Sequence, residues 1–377
     1  MRVLFTAAPE VGHIVPLLGV AAAARDAGHD VVIATHSSRH PLVAQAGIDA
    51  LPAGLSGADV TAERLRRWPS TSSLPATVWG VRMWVHIAAP AMAADLTTIV
   101  ERWRPDVVVH EEGEFAGPVV AAAAGLPWVT HGWGSPLRPD AELEALVAEA
   151  RDAGLWDRYG LAVPASAGLY NHALIDPCPP PLDPDRAIVE PTWPVRLSLL
   201  GAETPPRPRS PTGRRCYVGF GTVPAFANAA HDITAAAKAA MSAGLDVVAT
   251  VADDALARSL RDLGVDVRSF VSLPELLVEC ALVVTHGGAG TTLAALSHGI
   301  PVIAIPQGAP SQERMAVGVE QAGVGRHVRT SADIAGTVLD AVADRDLAQR
   351  AADAADIIRS LPSPDTCVRQ LEHLAGR

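Results

Sequence analysis

Two histidines stand beside glycines, each just after a run of apolar residues that predicts a strand. His286 opens the segment 286–292 (HGGAGTT), and His13 follows Gly12. Glycines in such a turn let backbone N–H groups approach an anion, and a helix that begins there adds the positive end of its dipole. A histidine also exchanges a proton near neutral pH. The first segment is therefore typical of phosphate binding, and the second is suited to acid–base chemistry.

A second glycine turn, residues 219–222 (GFGT), offers further N–H donors and a hydroxyl. Because it ends another predicted strand, its donors can converge on the same anion, and two converging sets favour a diphosphate. Backbone N–H groups and hydroxyls that neutralise the diphosphate remove the need for a metal. For the glycines alone, a tight turn capped by threonine is the alternative. The predicted diphosphate site consists of Gly221, Thr222, His286, Gly287, Gly288, Gly290 and Thr291.

His13 is the candidate general base, because it follows the first strand at the edge of the sheet where open α/β folds place ligands. A base histidine needs an acid that orients its other ring nitrogen. Glu111, directly after residues 107–110 (VVVH), is the first candidate, and Glu112 and Glu114 are alternatives. A solvated acidic loop is the competing interpretation of these three carboxylates.

The elements that must position these residues alternate between strand and helix. Residues 3–8 predict a buried strand, 16–24 a helix and 30–35 a second strand, which gives a βαβ unit with parallel pairing. The N-terminal half repeats the pattern at residues 105–109, 115–124 and 127–130. The C-terminal half predicts strands at 215–222, 246–251, 282–285 and 301–305, with helices at 233–243 and 291–298.

Residues 177–211 contain eleven of the 31 prolines, a density that no helix survives, and predict an interdomain linker. We therefore expect an N-terminal domain over residues 1–200 and a C-terminal domain over residues 212–360. Residues 361–377 predict a C-terminal helix that packs back on the first domain.

Composition excludes several classes of protein. The net charge is −11 and the arginines are scattered, which disfavours nucleic acid as a partner. The four cysteines lie far apart, which argues against zinc and against a disulfide framework. No stretch of about 20 uninterrupted apolar residues is present, so we expect a soluble, cytoplasmic protein without a membrane partner.

As an ordered set, the motifs resemble the UDP-glycosyltransferase superfamily of GT-B glycosyltransferases, and in particular actinobacterial enzymes that decorate antibiotics. The resemblance rests on residues 12–16 (GHIVP), 105–111 (PDVVVHE), 176–180 (DPCPP) and the block 270–325. It implies an α/β protein with two Rossmann-like domains whose parallel sheets face each other across a cleft. The N-terminal domain would bind the acceptor, and the C-terminal domain would bind the nucleotide sugar. It also implies that His13 is the general base.

The same resemblance implies a donor site in the C-terminal half. The nucleobase would lie against Phe270, Val271 and Leu273, and the sugar against Gln307, Ser311 and Gln312. Ser311 stands where the family usually has an aspartate, although Glu313 is an alternative source of that carboxylate. Because serine cannot replace a carboxylate that binds two sugar hydroxyls, we expect a thymidine-linked deoxysugar as the donor.

The predicted function is an inverting, metal-independent transfer of a sugar to a small natural product, such as a polyketide or macrocyclic aglycone. No cofactor is expected besides the nucleotide sugar, a dTDP-sugar, which is a co-substrate. Trp79, Trp84 and Trp133 are the candidate acceptor contacts, and packing in the core is their alternative role. A sugar-nucleotide epimerase and a non-catalytic auxiliary protein are the competing functions, and a homodimer stays open.

Overall fold

The computed structural model describes residues 1–69, 76–137, 141–183, 189–198, 214–221, 229–269 and 271–376, with the backbone alone for 76–79. The chain forms two compact units. The first contains residues 1–177, 186–195 and 362–377, and the second contains residues 178–185 and 196–361.

The first unit is built on a seven-stranded parallel sheet with the order β3-β2-β1-β4-β5-β6-β7. Its strands are β1 (Arg2–Thr6), β2 (Asp30–Thr35), β3 (Asp49–Pro52), β4 (Val107–Glu111), β5 (Trp128–His131), β6 (Leu174–Asp176) and β7 (Thr192–Pro194). Its helices are α1 (Val11–Asp26), α2 (His40–Gln45), α3 (Gly57–Arg67), α4 (Ala76–Met83), α5 (Ala89–Trp103), α6 (Gly117–Ala123), α7 (Ala141–Ala153), α8 (Leu155–Arg158) and the C-terminal helix α16 (Pro364–Leu374), which packs on α1.

The strand order reverses between β1 and β4, which pair in register with Thr6 beside His110. Parallel strands end at the same edge of a sheet, and open α/β sheets bind ligands where the order reverses. The residues that follow β1 and those that end β4 are therefore brought together. His13 and Glu111 lie on these two segments.

Two predicted boundaries were wrong at this edge of the sheet. We expected His13 in a loop before a helix starting at Pro16, but α1 begins at Val11 and contains both residues. Pro16, the first residue of the predicted helix, lies inside α1. Glu111 is the last residue of β4 and does not follow the strand.

One long apolar helical stretch, Gly80–Trp103, would be long enough to cross a membrane by length and composition. It contains α5 and a π-helical turn at Trp84–Ala88. Its apolar side chains contribute to the core of the first unit, which accounts for the composition. The buried ones are Val85, Ile87, Ala89, Met92, Ala93 and Leu96.

The second unit has a six-stranded parallel sheet with the order β10-β9-β8-β11-β12-β13. Its strands are β8 (Arg215–Gly219), β9 (Asp246–Thr250), β10 (Asp266–Arg268), β11 (Cys280–Thr285), β12 (Val302–Ala304) and β13 (Gly325–His327). Its helices are α9 (Ala229–Ser242), α10 (Asp254–Asp262), α11 (Leu273–Leu277), α12 (Ala289–Ser297), α13 (Pro310–Gln321), α14 (Ile334–Ala343) and α15 (Arg345–Ser360).

The reversal of strand order in this unit falls between β8 and β11, where Gly219 pairs with Thr285. The glycine turn after β8 is therefore a neighbour of His286, which follows β11. Helix α12 begins at Ala289, two residues earlier than predicted, with Gly288 as its N-cap residue. The N-terminus of α12 consequently lies inside the glycine-rich segment.

The proline-rich segment is not a simple linker. Residues 178–185 belong to the second unit, 186–195 return to the first, and the chain enters the second again at Arg196. Within this segment β7 completes the first sheet, and Pro180–Leu182 form a 3-10 turn. Proline density alone did not reveal β7, because proline is tolerated at the edge of a sheet.

Gly325 tests how closely β12, β13 and α13 pack. A Cβ atom at Gly325 would lie 2.0 Å from the carbonyl oxygen of Val302 and 2.3 Å from Cγ1 of Val319. We expect Gly325→Ala to lower the free energy of unfolding by about 1–3 kcal/mol. The matched variant Gly336→Ala adds a methyl group to α14 with nothing within 4 Å, and should stabilise by roughly 0.5–1 kcal/mol. Urea unfolding measures both changes, and equal midpoints would contradict the packing argument.

Candidate functional site

The carboxylate of Glu111 is fully buried and accepts four hydrogen bonds from described residues. His13 Nδ1 lies 3.0 Å from Oε1, which also accepts the backbone N–H of Ala8 at 3.2 Å. Oε2 accepts the backbone N–H of Gly113 at 2.6 Å and the indole N–H of Trp133 at 3.0 Å. A buried charge is stable only when its oxygens are paired. Although burial favours the neutral acid, His13 and the backbone N–H groups of Gly113 and Ala8 hold the pKa of Glu111 below its ordinary value.

The pKa of His13 is raised above its ordinary 6.5. Burial acts in the opposite direction, but the charge and hydrogen bond of Glu111 outweigh it, with smaller contributions from Glu10 and Glu112. Because Nδ1 faces Glu111, Nε2 is the nitrogen that can exchange a proton with a ligand. The two residues thus form the arrangement of a base and its orienting acid.

Two tryptophans flank the imidazole of His13. The ring of Trp133 stacks on it with centroids 4.8 Å apart and an interplanar angle of 26°, and Trp84 lies at 5.9 Å and 39°. Gly113 also approaches closely, since a Cβ there would lie 3.0 Å from Cε1 of His13. The sequence analysis missed Gly113. Its only signal was a glycine two residues after the candidate acid.

The alternative acids are engaged elsewhere. Glu112 accepts hydrogen bonds from the backbone N–H of Leu137 at 2.9 Å and from the Tyr170 hydroxyl. Glu114 accepts the Thr6 hydroxyl at 2.5 Å and the backbone N–H groups of Ala116 and Gly117 at the start of α6. Burial raises the pKa of Glu114 to about 7. All three carboxylates are buried, so the solvated acidic loop is also excluded.

A small pocket adjoins this pair. It lies at the carboxyl ends of β1, β3 and β4, and Trp84 and Gly113, which approach His13, are part of its wall. Apart from the Glu114 carboxyl group, its lining is apolar or consists of small residues. Other lining residues include Ala7, Pro9, Gly54, Met92 and Phe115.

His286 is enclosed between two glycine turns in the second unit. Its ring is hydrogen-bonded to the backbone of Gly219, and Cβ atoms at Gly221 or Gly288 would lie 3.0 Å and 2.6 Å from its Cε1. Gly221 also has a φ of +75°, which favours glycine. Burial lowers the pKa of His286 to about 4. At neutral pH this histidine is therefore an uncharged hydrogen-bonding group.

The predicted phosphate-binding segment has the geometry of a helix N-terminus. Gly287 has a φ of +82°, and a Cβ there would lie 2.8 Å from the carbonyl oxygen of Gln312. Gly290 and Thr291 occupy the first turn of α12, where backbone N–H groups have no partner within the helix. A Cβ at Gly290 would meet nothing within 4 Å. Gly287 is thus required by packing, whereas Gly290 leaves open space beside the helix start.

The predicted sugar contacts lie at and before the start of α13. Gln307 Nε2 donates to Asp232 Oδ2 at 2.9 Å, and Gln312 Oε1 accepts the backbone N–H of Gln307 at 2.8 Å. These bonds hold the loop that carries both glutamines. Ser311 is half-buried in the first turn of α13. Glu313, the alternative carboxylate, pairs with His327 at 3.2 Å.

Three predicted site positions lie outside the described residues: Thr222, Phe270 and the side chain of Trp79. Near Phe270, Val271 and Leu273 are half-buried and pack against the core of the second unit. The predicted nucleobase contacts are thus described only at these two positions.

One group of metal-ligating type occurs among the described residues, at His86, Glu149 and Asp152. Arg82 already binds both oxygens of Glu149, and His86 Nε2 lies 2.8 Å from Oε2. Ionic pairing therefore accounts for this cluster. The four cysteines are buried and free.

Two family models match the chain. The N-terminal domain of proteins like erythromycin biosynthesis protein CIII matches residues 22–196, and the C-terminal domain of the same proteins matches residues 236–374.

Curated relatives are sugar transferases of antibiotic producers. The chain is 32% identical to the elloramycin glycosyltransferase of Streptomyces olivaceus, over 100% of this chain and 98% of the relative. It is 32% identical to the L-demethylnoviosyl transferase of Streptomyces niveus, over 81% and 79% of the two chains. It is 30% identical to the TDP-daunosamine transferase of Streptomyces peucetius, over 81% and 80%.

Solved structures show the same fold. The glycosyltransferase SsfS6 of Streptomyces sp. SF2575, solved with thymidine diphosphate, is similar with a TM-score of 0.79 and 26% identity over 99% of both chains. The glycosyltransferase SnogD of Streptomyces nogalater has a TM-score of 0.76 at 24% identity, over 100% of this chain and 99% of that one. Together with the two parallel sheets, these structures confirm the predicted GT-B fold.

The pair of His13 and Glu111 can be tested by titration. In Glu111→Gln the charge is lost while burial remains, so we expect the pKa of His13 to fall below 6.5. In the parent protein, the raised pKa of His13 increases the free energy of unfolding, fully so below pH 6.5. This stabilisation is lost as the pH rises through the raised pKa. The variant should lack this gain. NMR titration of the imidazole and urea unfolding at several pH values measure both effects.

Glu112→Gln is the graded control, because Glu112 contributes less than Glu111 to the pKa of His13. It should lower that pKa by a smaller amount. An equal fall in both variants would contradict a specific pair.

Proposed function

The chain belongs to the family of antibiotic glycosyltransferases related to erythromycin biosynthesis protein CIII, and from this premise we propose that it moves a deoxysugar from thymidine diphosphate to a small apolar natural product. The observation that carries the proposal is the buried pair of His13 and Glu111 at the edge of the first sheet. A polyketide or macrocyclic aglycone is the proposed acceptor class.

His13 is the proposed general base. With Nδ1 fixed by Glu111, Nε2 removes the proton of the acceptor hydroxyl as its oxygen attacks the anomeric carbon. The bond between that carbon and the diphosphate oxygen breaks in the same step. Because attack and departure take place on opposite faces of the sugar, a single displacement inverts the anomeric configuration.

The departing diphosphate is proposed to bind at the N-terminus of α12. Backbone N–H groups of its first turn, the Thr291 hydroxyl and neutral His286 would stabilise the negative charge that develops on the leaving oxygen. These groups fulfil the role that a metal has in other diphosphate sites. The reaction therefore needs no metal and no cofactor besides the nucleotide sugar.

Two lines of support favour a thymidine-linked deoxysugar. The relatives include a TDP-daunosamine transferase, and the similar SsfS6 glycosyltransferase was solved with thymidine diphosphate. In addition, Ser311 lacks the charge with which a carboxylate would bind a hydroxyl-rich sugar, a bond worth about 1.5–3 kcal/mol. A sugar without that hydroxyl would lose no binding free energy when the carboxylate is replaced by serine.

The acceptor is proposed to place an apolar edge in the pocket beside His13. Its walls of alanine, glycine, methionine and aromatic side chains suit an alkyl or ring edge.

The donor proposal predicts a substrate preference. Purified protein would be incubated with a panel of polyketide and macrolide aglycones and with either a dTDP-deoxysugar or UDP-glucose. We expect kcat/KM to be about tenfold or more higher for the dTDP-deoxysugar, corresponding to at least 1.4 kcal/mol. Mass spectrometry measures the glycosylated product. A preference for UDP-glucose would refute the donor assignment, and turnover without any acceptor would favour an epimerase.

The catalytic proposal predicts the effect of His13→Ala. This variant should lower kcat at least about a hundredfold while the affinity for thymidine diphosphate stays unchanged, because His13 acts on the acceptor alone. In the parent enzyme, kcat/KM should rise with pH through a pKa above 6.5, since the neutral imidazole is the base. Kinetics over a pH series and calorimetry with the free diphosphate measure these effects. A near-normal rate with an aliphatic alcohol acceptor would exclude the base assignment.

A further inference from the structure

We propose that Trp133 is a positioning residue that fixes the relative orientation of His13 and Glu111, and is not a contact for the acceptor. This inference rests on the proposed role of His13 as the base. It replaces the acceptor role that the sequence suggested for Trp133.

Trp133 contacts both members of the pair at once. Its indole N–H donates to Glu111 Oε2 at 3.0 Å, and its ring stacks on the imidazole of His13 at 4.8 Å. His13 binds the opposite carboxylate oxygen, Oε1. The three side chains therefore form a closed arrangement in which the carboxylate lies between the imidazole and the indole N–H.

Each contact removes a different freedom. The N–H bond to Oε2 limits rotation of the carboxylate about its terminal torsion, which is broad in an isolated glutamate. The stacked ring limits rotation of the imidazole about its own terminal torsion, which is equally broad. A single side chain that contacts both Glu111 Oε2 and the imidazole thus sets where Nε2 of His13 points. Misplacement of a reacting atom by about 1 Å can cost a hundredfold in rate.

Backbone position supports this role. Trp133 lies two residues after β5, which pairs in register with β4 so that His131 is beside Glu111. The strand pair therefore fixes the separation between the carboxylate and the indole. Trp84, by contrast, lines the pocket and approaches His13 only at a tilted 5.9 Å. Of the two tryptophans, Trp84 has the position expected of an acceptor contact.

The charged and titratable groups around the pair must be considered in any test that reads a pKa. Glu10 and Glu112 raise the pKa of His13 together with Glu111. On the carboxylate side, Glu111 acts on the neighbouring His131, whose pKa burial lowers to about 4, and on Glu114. A change at Trp133 leaves all of these groups in place.

Two substitutions separate the hydrogen bond from the stacking. Trp133→Phe keeps an aromatic ring and removes the N–H donor, whereas Trp133→Leu removes both. Without the donor, the Glu111 charge is less compensated and acts more strongly on the imidazolium, so Trp133→Phe should raise the pKa of His13. We expect kcat to fall about tenfold in Trp133→Phe and about a hundredfold in Trp133→Leu, with the acceptor KM within about twofold of the parent value.

Trp193→Phe is the matched control, because Trp193 lies on β7, separated from β4 by β5 and β6. It should change neither the pKa of His13 nor kcat. The pKa is read by NMR titration of the imidazole, and the kinetic constants come from the most active donor and acceptor pair. Calorimetry with thymidine diphosphate verifies that each variant keeps a folded donor site.

A higher acceptor KM with kcat and the pKa of His13 unchanged would overturn the proposal and make Trp133 an acceptor contact. An unchanged pKa in both variants would also overturn it. The NMR readout needs no substrate. If no pair of substrates turned over, the proposed function would fail, while a raised pKa of His13 in Trp133→Phe would still show that the indole N–H acts on the pair through Glu111.

Discussion

Burial of one carboxylate constrains the whole edge of the first sheet. Glu111 has no contact with solvent, so its charge must be compensated by donors from within the protein. The donors come from the end of β1, the first turn of α1, the loop after β4 and the residues after β5. Each of these segments is held in place by the parallel pairing of β1, β4 and β5. The order of these three strands therefore places Glu111 and its donors beside His13, and Glu111 raises the pKa of His13.

The two candidate histidines show how environment separates one side-chain type into two roles. Both are largely removed from solvent, which lowers the pKa of an imidazole. His13 has a carboxylate 3.0 Å away, and its pKa rises in spite of burial. His286 is surrounded by glycines and backbone, and its pKa falls to about 4. The first can accept a proton near neutral pH, whereas the second serves only as a neutral hydrogen-bonding group.

Sequence reasoning gave the alternation of strands and helices, the family and the GT-B fold, which the comparisons confirm. It was less accurate for local boundaries. The helix predicted to start at Pro16 begins five residues earlier, at Val11. Residues 177–211 were interpreted as a linker, yet they include β7. In both places the local preference of proline was overridden by helix and sheet contacts from elsewhere in the chain.

The sequence by itself determined which chemical groups are present and in what order, because glycines, histidines and apolar runs act locally on the backbone that carries them. Only the tertiary structure decided which carboxylate pairs with His13. Glu111, Glu112 and Glu114 are equivalent by composition, but their side chains reach His13, Tyr170 and the start of α6 respectively. Likewise, the sequence does not distinguish Trp133 from the other tryptophans. Its role follows only from the contacts of its ring and N–H with both members of the pair. These contacts join residues far apart in the chain, and only the packing of separate strands fixes such distances.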